Sequence, residues 1–320
     1  MNARVWILLA GLMWLMLAGV AGAQQWPAKT IRFITVGAAD ALPRLLAQDI
    51  AGPLGQQIII DEHAGASGTI GAEYAARQPP DGYTFMVATS THMVVPNFYK
   101  LNYDFMRDFA PVTLLASSPF MLLAHPSLPV KNLADLVALA KRKPGALSFS
   151  ATSAGSSSDL VMEMFKSTAH LNIVHVPYKS MAAALTDLLG GQVQLGSSVG
   201  ATAVAQIKAN KVRALAVSTP KRSLVLPDVP TFAESGYPKV IGTAWYGIVA
   251  PTGTPTPIIS RMNEELVRAL NKPGMTDKLL QLAVEPEVMG PDQFRAFLKE
   301  DYVRWAEAAK AANVNIKAQQ

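Results

Sequence analysis

The residues able to do chemistry in this chain are small and oxygen-bearing rather than a catalytic set. Five short stretches each follow an apolar run and open an amphipathic one: Gly37-Ala38-Ala39-Asp40, Gly65 to Thr69, Ser90-Thr91-His92, Ser153 to Ser157, and Lys179-Ser180. A strand end followed by glycine or hydroxylated residues leaves backbone N–H groups unpaired at the positive end of a helix, an arrangement suited to a carboxylate. Taken singly, each turn also reads as plain helix capping, and Ser156 with Asp159 three residues on has the form of a capping box. As a set they predict a cleft, because open α/β sheets bind ligands at the carboxyl ends of their strands.

The usual catalytic and cofactor patterns are missing. Gly65-Ala66-Ser67-Gly68-Thr69-Ile70-Gly71 follows a strand, but its second glycine is displaced from the dinucleotide pattern and no Gly-Lys-Ser/Thr phosphate loop occurs. The histidines, His63, His92, His125, His170 and His175, are far apart and none has metal-ligand spacing. A hydrolase using Ser156 or Ser157 with His175 would need a nucleophile elbow, and Gly-x-Ser-x-Gly is absent. We therefore expect no enzyme, no cofactor and no metal. With 0 cysteines, disulfides, thiolate sites and a lipidated N-terminus are excluded.

These turns must be held by a core that 320 residues, 50% of them hydrophobic, can supply. A formal net charge of +5 comes from scattered Lys and Arg, which biases the surface towards anions without making a nucleic-acid face. Arg4, the apolar run Ile7 to Val20 and Ala21-Gly22-Ala23 predict a signal peptide over residues 1–23, cleaved after Ala23, and so an exported protein, expected in the periplasm; a monomer is expected as well. The run is too short for a membrane span.

From Thr30 on, short apolar runs alternate with amphipathic stretches, the pattern of parallel strands covered by helices. Strands are predicted over 31–36, 58–62 and 83–89, then 146–152, 173–178, 193–197, 212–218 and 243–250. Helices are predicted over 42–54, from the Gly65 turn to Arg77, and over 133–143, 157–169, 182–189, 257–270, 276–282 and 293–312. In the last, Phe294, Phe297, Leu298, Trp305, Ala308 and Ala312 fall on one stripe, assigned to core packing. Two crossings between two α/β sets imply a hinge.

Several motifs then become recognisable. Pro80-Asp81-Gly82-Tyr83-Thr84, Asp108-Phe109-Ala110-Pro111-Val112, His175-Val176-Pro177-Tyr178-Lys179, the run from Ala184 to Val193, and Leu226-Pro227-Asp228-Val229-Pro230-Thr231 resemble the periplasmic receptors of tripartite tricarboxylate transporters, the Bug family. The resemblance runs in order across nearly the whole chain after residue 23. It implies a type II periplasmic-binding-protein fold, α/β with two Rossmann-like lobes on a two-segment hinge. Lobe 1 is expected over 24–122 and 247–320, and lobe 2 over 123–246. It further implies capture of a small carboxylate or related organic solute for the membrane subunits of such a transporter, or the alternative of a ligand sensor feeding a periplasmic signalling receptor. Carried over by motif, the ligand-binding positions are Gly37, Ala38 and Asp40, then Thr89, Ser90 and Thr91, then Ser153, Gly155, Ser156 and Ser157, with Tyr178 and Lys179.

Three departures from the family pattern bear on ligand class. The first turn is several residues shorter than the family's Pro-Phe-x-Pro-Gly-Gly stretch. Ser198 stands where the family tends to carry an acidic residue. Asp159 replaces the histidine common in the Ser-rich turn, and would disfavour an anion if it faced the cleft.

Overall fold

The computed structural model describes residues 26–36 and 41–312. The predicted signal peptide and Gly37, Ala38, Ala39 and Asp40 of the first turn lie outside the described residues. Along the chain, β1 (Ile31–Thr35), α1 (Ala41–Leu54), β2 (Ile58–Glu62), α2 (Thr69–Ala76) and β3 (Thr84–Thr89) are followed by the short helices α3 (Thr91–Val94) and α4 (Phe105–Asp108). Next come β4 (Phe109–Ala124), α5 (Leu133–Arg142), β5 (Ser148–Thr152), α6 (Ser157–Ala169), β6 (Val174–Tyr178) and α7 (Met181–Leu189). The chain continues with β7 (Leu195–Val199), α8 (Gly200–Lys208), β8 (Arg213–Val217) and β9 (Thr243–Pro251). It ends with α9 (Thr256–Leu270), α10 (Met275–Gln281), β10 (Glu285–Met289) and α11 (Pro291–Ala311).

Local chemistry accounts for several of these boundaries. Asn132 accepts the Asp135 N–H at 2.9 Å and starts α5, while Ser180 accepts from Ala183 and starts α7. Helix α6 ends where His170 turns left-handed at φ 54°.

The strands form one curled sheet in the order β2-β1-β3-β9-β4-β7-β5-β6, with β10 and β8 also on β4. The outer parts are parallel, as the periodicity predicted: β1 with β2 and β3, and β5 with β6 and β7. The centre is not parallel. Strand β9 runs antiparallel to both β3 and β4, and β4 runs antiparallel to β7 and β8. The correction has a simple origin: β4 has 16 residues and serves both halves, pairing with β9 up to Pro119 and with β7 from Phe120. Each half of the sheet, with its helices, is one α/β lobe.

The second crossing returns over residues 218–243 and is tied to the first by one side chain. Ser218 is wholly buried, and its N–H donates to the Phe120 carbonyl at 2.9 Å while its hydroxyl accepts from the Phe120 N–H at 3.1 Å. On the other side its carbonyl accepts from Gly242 and its hydroxyl donates to the Gly242 carbonyl. Behind this junction lies α11. Its carboxylate Asp301 accepts from the indoles of Trp245 at 2.7 Å and Trp305 at 3.1 Å, joining β9 to the helix. A Cβ on Gly242 would come within 2.7 Å of Trp305, so glycine is required where the helix crosses. Phe294, Leu298, Trp305 and Ala308 of the predicted stripe are buried, and Phe297 and Ala312 partly so.

Sequence reading erred on other elements. Helix α8 and strand β10 were not anticipated, and β7 begins at Leu195, two residues later than expected, with the Gln194 side chain accepting the Ser148 N–H at 3.0 Å.

Candidate functional site

A cavity of about 550 Å³ opens between the two halves of the sheet, walled largely by the turns at strand carboxyl ends. From the first half come Gly65, Ser67 and Gly68 after β2, and Thr89, Ser90 and Thr91 after β3. From the second come Ser153, Ser156 and Ser157 after β5, Lys179 and Ser180 after β6, and Ala201 and Thr202 opening α8. The floor includes Phe120 of β4, Trp245 and Tyr246 of β9, and the segment Gln281 to Val284.

The two hydroxyl turns meet. Ser90 donates to the Ser157 hydroxyl at 3.2 Å, and the Thr91 and Ser157 hydroxyls lie 3.0 Å apart. Tyr99 donates across the same gap to the Ala154 carbonyl at 2.6 Å. Ser157 is the first residue of α6, a helix of 13 residues, so its amide and that of Ser158 have no partner within the helix. Hydroxyls, first-turn amides and the helix dipole together make this end of the cavity favourable to a negative oxygen.

Behind each hydroxyl turn sits a buried histidine. His92 Nδ1 accepts the Thr89 N–H at 3.0 Å, and its Nε2 lies against the backbone of Gly68. A Cβ on Gly68, whose φ is +85°, would meet that nitrogen at 3.3 Å. Burial pushes the His92 pKa down to about 4, so the ring is neutral near pH 7. In the second half, His175 stacks on Phe149 at 4.7 Å and places Nδ1 3.1 Å from Asp159 Oδ1. Burial depresses His175 to about 4 and raises Asp159 to about 7. The Gly155 N–H, donating to Asp159 Oδ2 at 2.9 Å, and Lys166 act against that rise; Glu163 adds to it.

The capping box at Ser156 is therefore modified. Ser156 Oγ accepts the Asp159 N–H at 3.2 Å as expected, but the Asp159 carboxyl reaches back to Gly155 instead of Ser156. Asp159 points away from the cavity towards His175, and the fear that it would face the ligand is not realised. Among the described residues neither Ser156 nor Ser157 has a histidine partner, so the arrangement a serine nucleophile needs is not formed.

Of the residues singled out from sequence, Thr89, Ser90, Thr91, Ser153, Ser156, Ser157 and Lys179 share the cavity wall. Gly155 sits behind it, using its N–H on Asp159 and a φ of +74° to turn the chain. Tyr178, the last residue of β6, points elsewhere: its hydroxyl donates to Asp187 at 2.7 Å, while Lys179, in the turn that follows, lines the cavity. Ser198 is buried on β7 opposite Met121 with its hydroxyl unpartnered, and lies outside the wall. Sequence reasoning missed Ala201 and Thr202, although Gly200-Ala201-Thr202 carries the same strand-end signature. Gln281, Leu282 and Val284 arrive from a distant part of the chain and had no local signal.

Two α/β lobes on a shared long strand, with a cavity between strand-end turns, define a solute-binding protein of the periplasmic receptor type. Residues 42–314 match the model of the tripartite tricarboxylate transporter family receptor, and the chain belongs to that family. It is 31% identical over 310 residues to Protein BugT of Bordetella pertussis, covering 94% of this chain and 95% of BugT. The R. palustris protein Rpa4515, solved with adipate, is 34% identical with a TM-score of 0.86, covering 90% of this chain and 98% of its own. MatC from Rhodopseudomonas palustris, solved with malate, is 31% identical with a TM-score of 0.81, covering 88% and 99%. Among the described residues no helix is long and apolar enough to cross a membrane.

Proposed function

We propose that this chain captures a small organic carboxylate outside the cytoplasm by closing its two lobes on it, and delivers it to the membrane subunits of a tripartite transporter. The observation carrying this reading is the meeting of Ser90 and Thr91 with Ser157 at the start of α6, where hydroxyls of one lobe and helix amides of the other converge on the wall of one cavity. A carboxylate there exchanges water for aligned donors from both lobes, so binding favours the closed form. The hinge is the Ser218 junction, and the cavity wall carries the cation Lys179. Adipate and malate in the two Rhodopseudomonas palustris relatives are consistent with this chemistry.

The test is thermal unfolding of the purified protein against a panel of carboxylates, with the matching amides as controls. A ligand present at 100 times its Kd stabilises by about 2.7 kcal/mol, a rise of several degrees. Stabilisation by acids and not by amides is expected. Absence of any acid effect at millimolar concentration sinks the reading.

A further inference from the structure

A carboxyl group lies behind the hydroxyl turn that opens α6. Ser153, Ser156, Ser157 and Ser158 belong to the cavity wall, while the next side chain, Asp159, turns away from it towards His175. Asp159 is buried, and among the described residues no lysine or arginine forms an ion pair with it. Oδ2 accepts the Gly155 N–H at 2.9 Å, and Oδ1 lies 3.1 Å from His175 Nδ1. The groups around it leave its charge open. From α6 come Glu163 and Lys166, which pair with each other at 2.5 Å and act on Asp159 in opposite senses. From the first lobe comes the Tyr99 hydroxyl, which donates to the Ala154 carbonyl and feels the Asp159 charge. Strands β5 and β7 bring Phe149 against His175, and Thr152 and Ser197 against Ser158, none of them charged. Helix α11 joins α6 farther along, where the Ser167 hydroxyl donates to the Ala311 carbonyl. Burial therefore decides: Asp159 rises to about 7, and His175, lowered to about 4, stays neutral.

Near neutrality the pair behind the turn is thus neutral or singly negative, according to one proton. A ligand carboxylate held by the hydroxyls and first-turn amides in front places a second negative charge close by, in a wall of low dielectric. Repulsion between like charges favours the protonated form of Asp159, and by linkage a proton taken up on binding tightens binding as pH falls. We propose that Asp159 is a positioning residue that couples capture to a proton: the carboxylate binds best when Asp159 is protonated, and its arrival draws a proton onto that carboxyl. Asp159 acts through the Gly155 turn and the start of α6 without touching the ligand. With the proton on the Oδ1 side, Oδ2 still accepts from Gly155, so the turn keeps its shape as its charge changes. The proposal rests on the carboxylate reading above and adds a proton to it.

Titration calorimetry of the purified protein with adipate, malate and the strongest acid of the thermal panel tests the coupling between about pH 6.5 and 8.5, where such acids stay ionised. In the parent, Kd should rise by about 5-fold or more across that range. At about pH 7 the heats in phosphate and in Tris should differ by an amount that corresponds to uptake of about 0.3 to 0.5 proton per ligand. Asp159→Asn keeps an oxygen for the Gly155 N–H but has no proton to exchange, so its Kd should vary less than about 2-fold and its proton uptake should vanish. A parent whose Kd is flat and whose heat does not follow the buffer overturns the proposal while leaving carboxylate capture standing. An Asn variant that keeps the parent's pH profile overturns it too, since a merely structural carboxyl gives that result. Binding by no acid at any pH overturns both readings. The two-buffer comparison on the parent needs no variant, so a folding defect in Asp159→Asn does not shield the proposal.

Discussion

The two hydroxyl turns that face each other across the cavity are built alike in front and differently behind. In the first lobe, Ser90 and Thr91 stand on a four-residue helix, and the ring of His92 holds the turn from behind as a lone neutral imidazole. In the second, Ser156 and Ser157 stand on a 13-residue helix with a side-chain cap, and behind them a carboxyl and an imidazole share the space. The first support holds a fixed protonation state near neutrality. The second can gain or lose a proton on Asp159, raised to about 7 beside His175, within the first turn of the helix that starts at Ser157. The two hydroxyl turns are thus buttressed by an inert group on one side and a titratable pair on the other.

The comparison breaks most visibly at Asp159. Asp159→Ala orphans the buried Gly155 N–H and leaves His175 without its partner, so a loss of about 2–4 kcal/mol is expected in denaturant unfolding. A loss below about 1 kcal/mol would mean that the pair is not a support at all. Next in size is His92→Leu. It keeps the apolar contact with Phe105, 5.4 Å away, but leaves the Thr89 N–H unpaired, an expected cost of about 1–3 kcal/mol.

The pH dependence sharpens the contrast, and its sign can be worked out. Asp159, raised to about 7, contributes stability present below its unfolded value and lost as pH rises from about 4 to 7. His175, depressed to about 4, contributes stability present above about 6.5 and lost as pH falls towards 4. Between about pH 4 and 6.5 the folded pair holds one proton on Asp159 and the unfolded pair holds one on His175, so their contributions nearly cancel. His92 has no such counterweight and loses stability on acidification. Asp159→Asn should remove the cancellation: relative to the parent, the variant loses up to about 1.4 kcal/mol per pH unit below pH 6.5. Thermal melts at intervals from pH 4.5 to 7.5 measure it, and parallel curves for parent and variant would refute the shared-proton picture.

The smallest effect belongs to the front of the turns. Ser157→Ala removes the hydroxyl that meets Ser90 and Thr91 while α6 keeps its Ser156 cap. Stability should change by less than about 1 kcal/mol, and affinity for a bound acid should fall about 5- to 10-fold, read by calorimetry.

Much of this is legible in the sequence, because it is local. The apolar runs of β1, β3, β5 and β6, the caps at Asn132, Ser156 and Ser180, and the stripe on α11 all follow from the preferences of neighbouring residues. So does the grouping of hydroxylated turns at strand ends, which brought Thr89 to Thr91 and Ser153 to Ser157 forward as candidates.

What only the tertiary structure decided is which of these turns meet and which residue of each faces the cavity. The antiparallel centre arises because β4 is long enough to pair with β9 and then with β7, a choice made by partners more than 70 residues away. Tyr178 and Lys179 are adjacent in sequence, yet one is claimed by Asp187 and the other lines the cavity. Asp159 was suspect as a charge beside an anion. Its direction is set by His175 and by the Gly155 amide, so the same residue became part of the wall's support. Local sequence determines where a polar turn forms; long-range packing determines what each of its atoms is left free to bind.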